Sequence, residues 1–135
     1  MTITNFLDNE LVDFASYSTI RAIASVIDGQ KNASRKVLHT VQAKNITHDI
    51  KVSQLSTKMA EFCEYLHGSA DPVVVNLAKD YVGTNNLPLL IREGNFGTRF
   101  INEASAPRYI FTAKEDIFDK ILLKEDTNVL IQQEF

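Results

Sequence analysis

The sequence is poor in the residue types that mark several common classes of protein. It contains one cysteine, Cys63, which excludes an internal disulfide framework and a cysteine-rich zinc site. Because Cys63 lies between Met59 and Leu66 in an apolar helical pattern, it is predicted to be a small core residue. No apolar run approaches the roughly 20 residues of a membrane-spanning helix, and the first residues, with Asp8 and Glu10, do not match a signal peptide. The sequence therefore predicts a cytosolic protein without a membrane partner.

An excess of positive charge is also missing. The formal net charge is −3, which should repel a polyanion such as DNA. Residues 115–135 carry six acidic groups against two lysines, a balance of −4, so the preceding residues sum to +1. Electrostatics therefore permits DNA binding without arguing for it. The 44% of hydrophobic and 23% of charged residues are typical of one soluble domain with its own core.

Apolar residues recur at helical spacing in the first part of the chain. Asn32 is a plausible N-cap for one helix, and Asp71 followed by Pro72 is typical of the start of another. Asp28-Gly29 and Gly68 supply two stops. The predicted helices span residues 9–27, 32–41, 52–66 and 71–81.

Short apolar runs indicate strands in the second part. Residues 87–91 have strand length, and residues 100–101 and 109–111 flank a polar turn as a candidate hairpin. Thr112 with Glu115 forms the pattern of a capping box for a last helix. Helices followed by a small hairpin predict a mainly α (α+β) fold, a winged helix-turn-helix domain with an N-terminal helix. Three aromatic residues on apolar faces are expected in the core: Phe62, Phe111 and Phe118.

Two neighbouring segments carry the most specific pattern. The first is Gly94-Asn95-Phe96-Gly97-Thr98-Arg99, and the second is Ala106-Pro107-Arg108-Tyr109-Ile110-Phe111-Thr112. Together they resemble the active-site region of type IIA DNA topoisomerases, in which a tyrosine directly after an arginine attacks a DNA phosphate. Further segments match the family upstream in the same order, so the resemblance covers residues 17–123. These upstream segments are 21–38, 51–55, 65–68 and 77–86.

The chain departs from the family pattern at a few positions. Ala24 and Asn32 stand where the family usually has proline. Near His67, one histidine and a glutamate of the family motif are replaced by Leu66 and Ser69. The stretch between the loop at residues 94–99 and Tyr109 is shorter than in eukaryotic members. This shortening and the amino acids at residues 105–112 resemble the phage medium subunit more than bacterial gyrase A.

The resemblance implies a role for each matching side chain. Tyr109 is expected to be the nucleophile, and Arg108 to stabilise the negative charge that develops on the phosphate oxygens. Arg21 and His67 are expected to donate further hydrogen bonds to the same phosphate. Arg99 has two open roles, contact with DNA or fixing of its own loop. The residues expected to contact DNA are Lys31, Arg35, Lys36, Lys51, Gln54 and Arg99.

The resemblance also implies parts that lie elsewhere. Family members hold Mg²⁺ with an acidic cluster in a separate fold that this sequence lacks, so a metal site is not expected here, and Mg²⁺ and ATP are expected on a partner subunit. The other expected partners are double-stranded DNA and a second copy of the full-length subunit in a homodimer. If the gene is phage-encoded, the compartment is the host bacterial cytoplasm. The expected domains are a helical arm (1–28), a winged-helix DNA-cleavage domain (29–123) and the start of a tower region (124–135).

Two other functions remain open at this point. The chain could be a winged-helix protein that binds DNA without cutting it, having kept the fold and lost its partner. It could also be a winged helix that binds only protein, which the net charge favours and the Arg108-Tyr109 pair opposes. His39 and His48 are expected to be ordinary surface or helix residues.

Overall fold

The computed structural model describes residues 2–129. An N-terminal helix leads into three packed helices, and a small antiparallel sheet follows. The α-helices are α1 (Ile3–Asn5), α2 (Val12–Ala22), α3 (Asn32–Ala43), α4 (Val52–Phe62), α5 (Asp71–Ala78) and α6 (Phe118–Ile121). A π-helical segment (Phe6–Leu11) joins α1 to α2, and a 3₁₀ helix covers Lys124–Val129. The strands are β1 (Ile50–Lys51), β2 (Leu90–Glu93) and β3 (Phe111–Lys114).

Residues 3–22 form one continuous helical arm. The arm begins earlier than the predicted 9–27 because the Thr2 hydroxyl accepts a hydrogen bond from the Asn5 N–H, 3.1 Å away, and so caps its start. It ends at Ala22 because Ile23 is extended and a turn follows, in which the Gly29 N–H donates to the Ser25 carbonyl. None of its residues is buried. The prediction of a first helix is confirmed in type and wrong at both ends.

Helices α3, α4 and α5 form the core. Each presents its apolar residues at steps of three and four, so that one face of each helix is buried against the other two. Thr40 is fully buried within this core, and its hydroxyl donates to the Lys36 carbonyl one turn earlier. The fully buried side chains from these helices are Val37, Val41, Val52, Leu55, Met59 and Val74.

Helices α3 and α4 end in the same way. After each, one residue adopts a left-handed conformation, Asn45 (φ 47°) and Glu64 (φ 49°). The next N–H then reaches back to a carbonyl five residues earlier, from Ile46 to Val41 and from Tyr65 to Ala60. This is the Schellman arrangement, which satisfies the last carbonyls of a helix.

Because Glu64 reverses the chain, the third predicted helix (52–66) stops at Phe62, and Leu66 lies outside it with 87% of its surface exposed. The prediction that Phe62 is a core residue is also wrong. Its side chain is exposed and its ring stacks on His39, with centroids 5.5 Å apart. Cys63 is half-buried and packs against the core, as expected for a small packing residue. Helix α5 runs from Asp71 to Ala78 and ends earlier than expected. The predicted N-caps Asn32 and Asp71 are each one residue off, because both are the first residue of their helix and Lys31 and Ala70 occupy the N-cap positions.

The sheet has the order β1-β3-β2, with both pairs antiparallel. The predicted hairpin between 100–101 and 109–111 is wrong, since Phe100 and Ile101 are exposed loop residues and β3 pairs with β1 and β2 instead. The capping box is wrong as well. Thr112 lies inside β3 and its hydroxyl donates to the Ile91 carbonyl, 2.7 Å away.

The last α-helix is short but packs as expected. Phe118 of α6 is fully buried, whereas Phe111 is only partly so. Three packed helices with a small antiparallel sheet confirm the predicted α+β winged-helix class. Among residues 2–129, no helix is both long enough and apolar enough to cross a membrane.

Candidate active site

Tyr109 lies in a turn immediately before β3. The turn closes through a hydrogen bond of 2.9 Å from the Tyr109 N–H to the Ala106 carbonyl. Tyr109 keeps 66% of its surface exposed, while the next residue, Ile110, is buried. The central carbon of the Arg108 guanidinium lies 4.8 Å from the centroid of the Tyr109 ring, within the range of a cation–π contact. The structure therefore presents two of the four predicted catalytic side chains together on an accessible turn.

Two backbone N–H groups at the N-terminus of α4 hold this turn through hydrogen bonds. The Val52 N–H donates to the Ile110 carbonyl at 3.0 Å, and the Ser53 N–H donates to the Pro107 carbonyl at 3.2 Å. These N–H groups belong to the first turn of a helix, where no carbonyl of the same helix can accept from them. The two accepting residues flank Arg108 and Tyr109, so the main chain of the pair is fixed while both side chains stay free.

The rest of the segment before the turn is also ordered by its main chain. We call residues 94–110 the tyrosine loop. Phe96 anchors it in the core with no exposed surface, and the Ser105 N–H donates to the Asn95 carbonyl at 2.9 Å. Gly97 has a φ of 89°, and a Cβ there would lie 2.7 Å from the Asn102 carbonyl oxygen. Because a Cβ at position 97 would clash with this carbonyl, only glycine fits there without a shift of the backbone.

Arg21 and His67 contact each other at the protein surface. A nitrogen of the Arg21 guanidinium (Nη1) lies 2.8 Å from His67 Nδ1, and the Tyr17 hydroxyl lies 2.5 Å from His67 Nε2. The Tyr65 ring contacts the imidazole edge-on, with centroids 5.8 Å apart. We call Tyr17, Arg21 and His67 the arm cluster. Among residues 2–129, no hydrogen bond or ring contact joins this cluster to Arg108 or Tyr109.

The structure gives Arg35 a contact within the chain. Its guanidinium holds the Asp28 carboxylate with two hydrogen bonds, of 2.8 and 2.7 Å, and also donates to the Gln30 carbonyl. This bidentate hydrogen bonding to Arg35 lowers the pKa of Asp28 to about 2, and the same contact raises the pKa of Arg35. Arg35 therefore ties the turn at residues 25–30 to α3.

The other predicted DNA contacts lie at the surface. Lys36 donates to the Cys63 carbonyl at 2.9 Å, beyond the end of α4. Gln54 lines an open depression of about 400 Å³ on α4, next to Ser53. Arg99 borders another open depression, of about 430 Å³, beside Lys79. The exposed side chains in this set are Lys31, Lys51, Gln54 and Arg99.

Sequence reasoning missed two features of the site. Tyr17 carried a usable signal, because it lies four residues before Arg21 and therefore on the same face of the helix. The support of the tyrosine loop by the N–H groups of Val52 and Ser53 had no signal in side-chain identity.

In the described part of the chain, no group of three or more His, Cys, Asp or Glu side chains could hold a metal ion.

Comparison with known proteins decides the family. The family model for the A subunit of DNA gyrase/topoisomerase IV matches residues 21–134. The chain belongs to the type IIA DNA topoisomerases. It is 39% identical to DNA topoisomerase 2 of Bombyx mori, over 98% of this chain and 9% of that protein. It is 36% identical to DNA topoisomerase 2 of Invertebrate iridescent virus 6, over 96% of this chain and 12% of that protein.

A solved structure agrees with the sequence relatives. The topoisomerase II DNA-binding, cleavage and re-ligation domain of Plasmodium falciparum superposes with a TM-score of 0.86 at 35% identity, covering 93% of this chain and 18% of that one. The chain thus spans about a tenth of the length of the curated relatives it matches. These three relatives come from two eukaryotes and a virus, and the finer resemblance to the phage medium subunit stays a prediction.

Proposed function

We propose that this chain is the DNA-cleaving and re-ligating part of a type II DNA topoisomerase, with Tyr109 as the nucleophile. The observation that carries the proposal is the Arg108-Tyr109 turn. Its main chain is held by α4 while the tyrosine remains two-thirds exposed and pairs with the guanidinium of its neighbour. A buried tyrosine, or one on a loose loop, could not be presented to a duplex in a defined orientation.

The proposed reaction exchanges one phosphate ester for another. The Tyr109 hydroxyl gives up its proton as its oxygen attacks phosphorus. The bond from phosphorus to the 3′ oxygen of the neighbouring sugar breaks, and that oxygen takes up one proton, so that no net proton is gained or lost. The product is a 5′-phosphotyrosyl bond, which the released hydroxyl can attack to restore the strand. Arg108 is always charged and can donate to two non-bridging oxygens at once, so it stabilises the charge that develops on them.

The remaining site residues are assigned from their geometry. We assign Arg21 and His67 to the scissile phosphate, because the arm cluster presents their donors on an exposed surface. Lys31, Lys51, Gln54 and Arg99 are exposed and contact flanking DNA in this proposal, as does Lys36. For Arg35 we propose that it shapes the turn at residues 25–30 through Asp28, because its guanidinium is engaged there.

Magnesium and ATP belong to other parts of the enzyme in this proposal. The described residues do not fit a Mg²⁺ site, since no group of three possible ligands converges among them. Following the family resemblance, we place Mg²⁺ and ATP on a partner subunit, or a partner region of a longer chain, and propose a homodimer of the full-length subunit on double-stranded DNA. The chain alone should not pass one duplex through another, and supercoiled plasmid should keep its linking number when only this chain and ATP are added.

The domain division follows the same reasoning. We propose residues 1–28 as the arm, 29–123 as the cleavage domain and 124–135 as the beginning of a tower region. Of the last segment, residues 130–135 lie outside the described part of the chain.

The alternative function, a winged helix that binds DNA without cutting it, is less well supported. The solved relative is a cleavage and re-ligation domain, and the Arg108-Tyr109 turn is in place here.

A trapped covalent complex tests the proposal. The chain is combined with its metal-bearing partner, Mg²⁺ and DNA labelled at a 3′ end, so that the label stays on the fragment joined to the tyrosine, and the reaction is stopped with denaturant. We expect protein-linked DNA with the unchanged chain and none with Tyr109→Phe. Tyr65→Phe is the matched control, because it removes the hydroxyl of another tyrosine that also contacts a site residue. An undiminished adduct with Tyr109→Phe would remove Tyr109 as the nucleophile.

A further inference from the structure

The arm cluster contains a side chain that the proposed reaction leaves without a task. Tyr17 lies in the second half of α2, and its hydroxyl oxygen lies 2.5 Å from His67 Nε2. His67 itself lies in the loop after α4, fifty residues along the chain. The imidazole is exposed, so its orientation depends on the side chains around it. Tyr17 and Arg21 occupy its two nitrogens from one helix face.

The chemistry of the partners determines where the imidazole carries its proton. A guanidinium has only donors, so the contact between Arg21 Nη1 and His67 Nδ1 at 2.8 Å requires Nδ1 to be the acceptor. A proton on Nδ1 would place two donors against each other. The ring must then carry its proton on Nε2, which donates to the Tyr17 oxygen.

We infer that Tyr17 is a positioning residue that, with Arg21, holds His67 as one neutral tautomer with its proton on Nε2. Tyr17 accepts from the ring, so its own O–H is left to donate. The Nε2–H of this tautomer donates to the Tyr17 oxygen in the structure, and it is the donor that His67 can offer to an anionic oxygen of bound DNA. The inference rests on the proposed function only in assigning that oxygen to the scissile phosphate.

The first arm of the test measures the tautomer directly. The full chain is labelled with ¹⁵N-histidine, and the signals of His67 are separated from those of His39 and His48 by single substitutions. We expect a bare Nδ1 and a hydrogen-bearing Nε2. In Arg21→Ala the ring should lose this single tautomer and show averaged nitrogen signals. In Tyr17→Phe the Nε2 hydrogen should lose its acceptor and exchange faster with water, whereas Tyr65→Phe should change neither. A proton on Nδ1 in the unchanged chain, or an unchanged exchange of the Nε2 hydrogen in Tyr17→Phe, overturns the inference.

The second arm measures DNA cleavage by the complete enzyme at saturating DNA. Tyr17→Phe should lower the rate roughly three- to tenfold, the factor expected from losing one hydrogen bond, while Tyr65→Phe leaves it unchanged. On a His67→Ala background, Tyr17→Phe should cost nothing further, because its effect passes through the ring. An equal loss on both backgrounds overturns the positioning role.

The two arms separate failure of the inference from failure of the proposed function. If Tyr109→Phe still forms the adduct, the proposed function fails while the nitrogen spectrum still decides the role of Tyr17. If His67→Ala reduces cleavage and Tyr17→Phe does not, this inference alone fails. Thermal unfolding of each variant is the check on folding, and Tyr17 lies on a helix with no buried residue, so its substitution should leave the fold intact.

Discussion

The tyrosine loop and the arm cluster are held in place by different kinds of bond. In the tyrosine loop, main-chain groups make the connections, from α4 to Pro107 and Ile110 and from Ser105 to Asn95. In the arm cluster, side chains make them, from Tyr17 and Arg21 to His67, and a similar side-chain pair joins Asp28 to Arg35 nearby. Main-chain bonds fix a position whatever side chain stands there, whereas exposed side-chain contacts are weak one by one. We expect the loop to be rigid before DNA binds and the arm cluster to adjust.

The largest expected effect tests the chemistry of the loop. Arg108→Ala should slow cleavage at saturating DNA about 10²- to 10³-fold, because a preorganised donor to the developing charge is lost. Lys31→Ala, near the end of the arm, should instead weaken DNA affinity and lower the slope of its salt dependence by about one unit. Single-turnover cleavage and binding at several salt concentrations measure both. The opposite pattern would show that Arg108 serves binding.

The rigidity of the loop is tested next. Gly97→Ala should destabilise the fold by about 1–3 kcal/mol more than Gly83→Ala, because both glycines have positive φ but only the Cβ at 97 meets backbone. At position 83 a Cβ has no heavy atom within 4 Å, so that variant reports the φ cost alone. Urea unfolding measures the difference. Equal losses of unfolding free energy in the two variants would mean that the backbone of the tyrosine loop shifts easily to accommodate a Cβ. That result would contradict the rigidity expected of this loop.

A smaller effect is expected just after the end of α4, three residues before His67. Glu64→Gly should raise the free energy of unfolding by about 1 kcal/mol, because Glu64 is held in a left-handed conformation that glycine adopts without steric cost. Asn45→Gly is the control, since asparagine tolerates that conformation better than glutamate and should gain less. A loss of stability in Glu64→Gly would show that its side chain contributes more than its backbone costs.

The smallest effect concerns pH. The pKa of Asp28 is lowered to about 2, so its ion pair stabilises the fold above the unfolded-state value and this contribution is lost as the pH falls toward 2. Both side chains of the Asp28–Arg35 pair are 42% exposed, which keeps the contribution below about 1 kcal/mol. The difference in unfolding free energy between the unchanged chain and Asp28→Asn should be constant above about pH 5 and should be lost as the pH falls through about 2. A difference that grows on acidification would contradict the assignment.

Sequence reasoning was most reliable where a pattern is local. The buried faces of α3, α4 and α5 follow directly from apolar spacing, and Asp71 with Pro72 places the start of α5 correctly. It failed where a distant partner decides the outcome. Residues 109–111 have strand character, but β3 begins only at Phe111, because Tyr109 is held in a turn by α4. Strand β1 has only two residues and no periodicity to detect.

The residues of the candidate site also fall into two groups, those predictable from local sequence and those whose role depends on a distant partner. The Arg108-Tyr109 pair was predictable from its own sequence segment. The family resemblance assigned Arg21 and His67 to one phosphate, and the structure brings these two side chains into contact with each other. Tyr17 was not found because its role depends on a contact with a loop fifty residues away. Arg35 was expected at DNA because of its charge, but charge alone does not show that Asp28 lies within reach of its guanidinium.

The sequence by itself determined the helix faces, the family and the identity of the proposed nucleophile, because each depends on residue types at fixed short spacing. The tertiary structure decided which strands pair, where α4 stops, how the tyrosine turn is supported and which side chains meet the two nitrogens of His67. These depend on groups far apart in the chain that meet only after folding. A hydrogen bond forms only when its donor and acceptor lie within about 3 Å of each other. The linear sequence does not show which distant residues come that close.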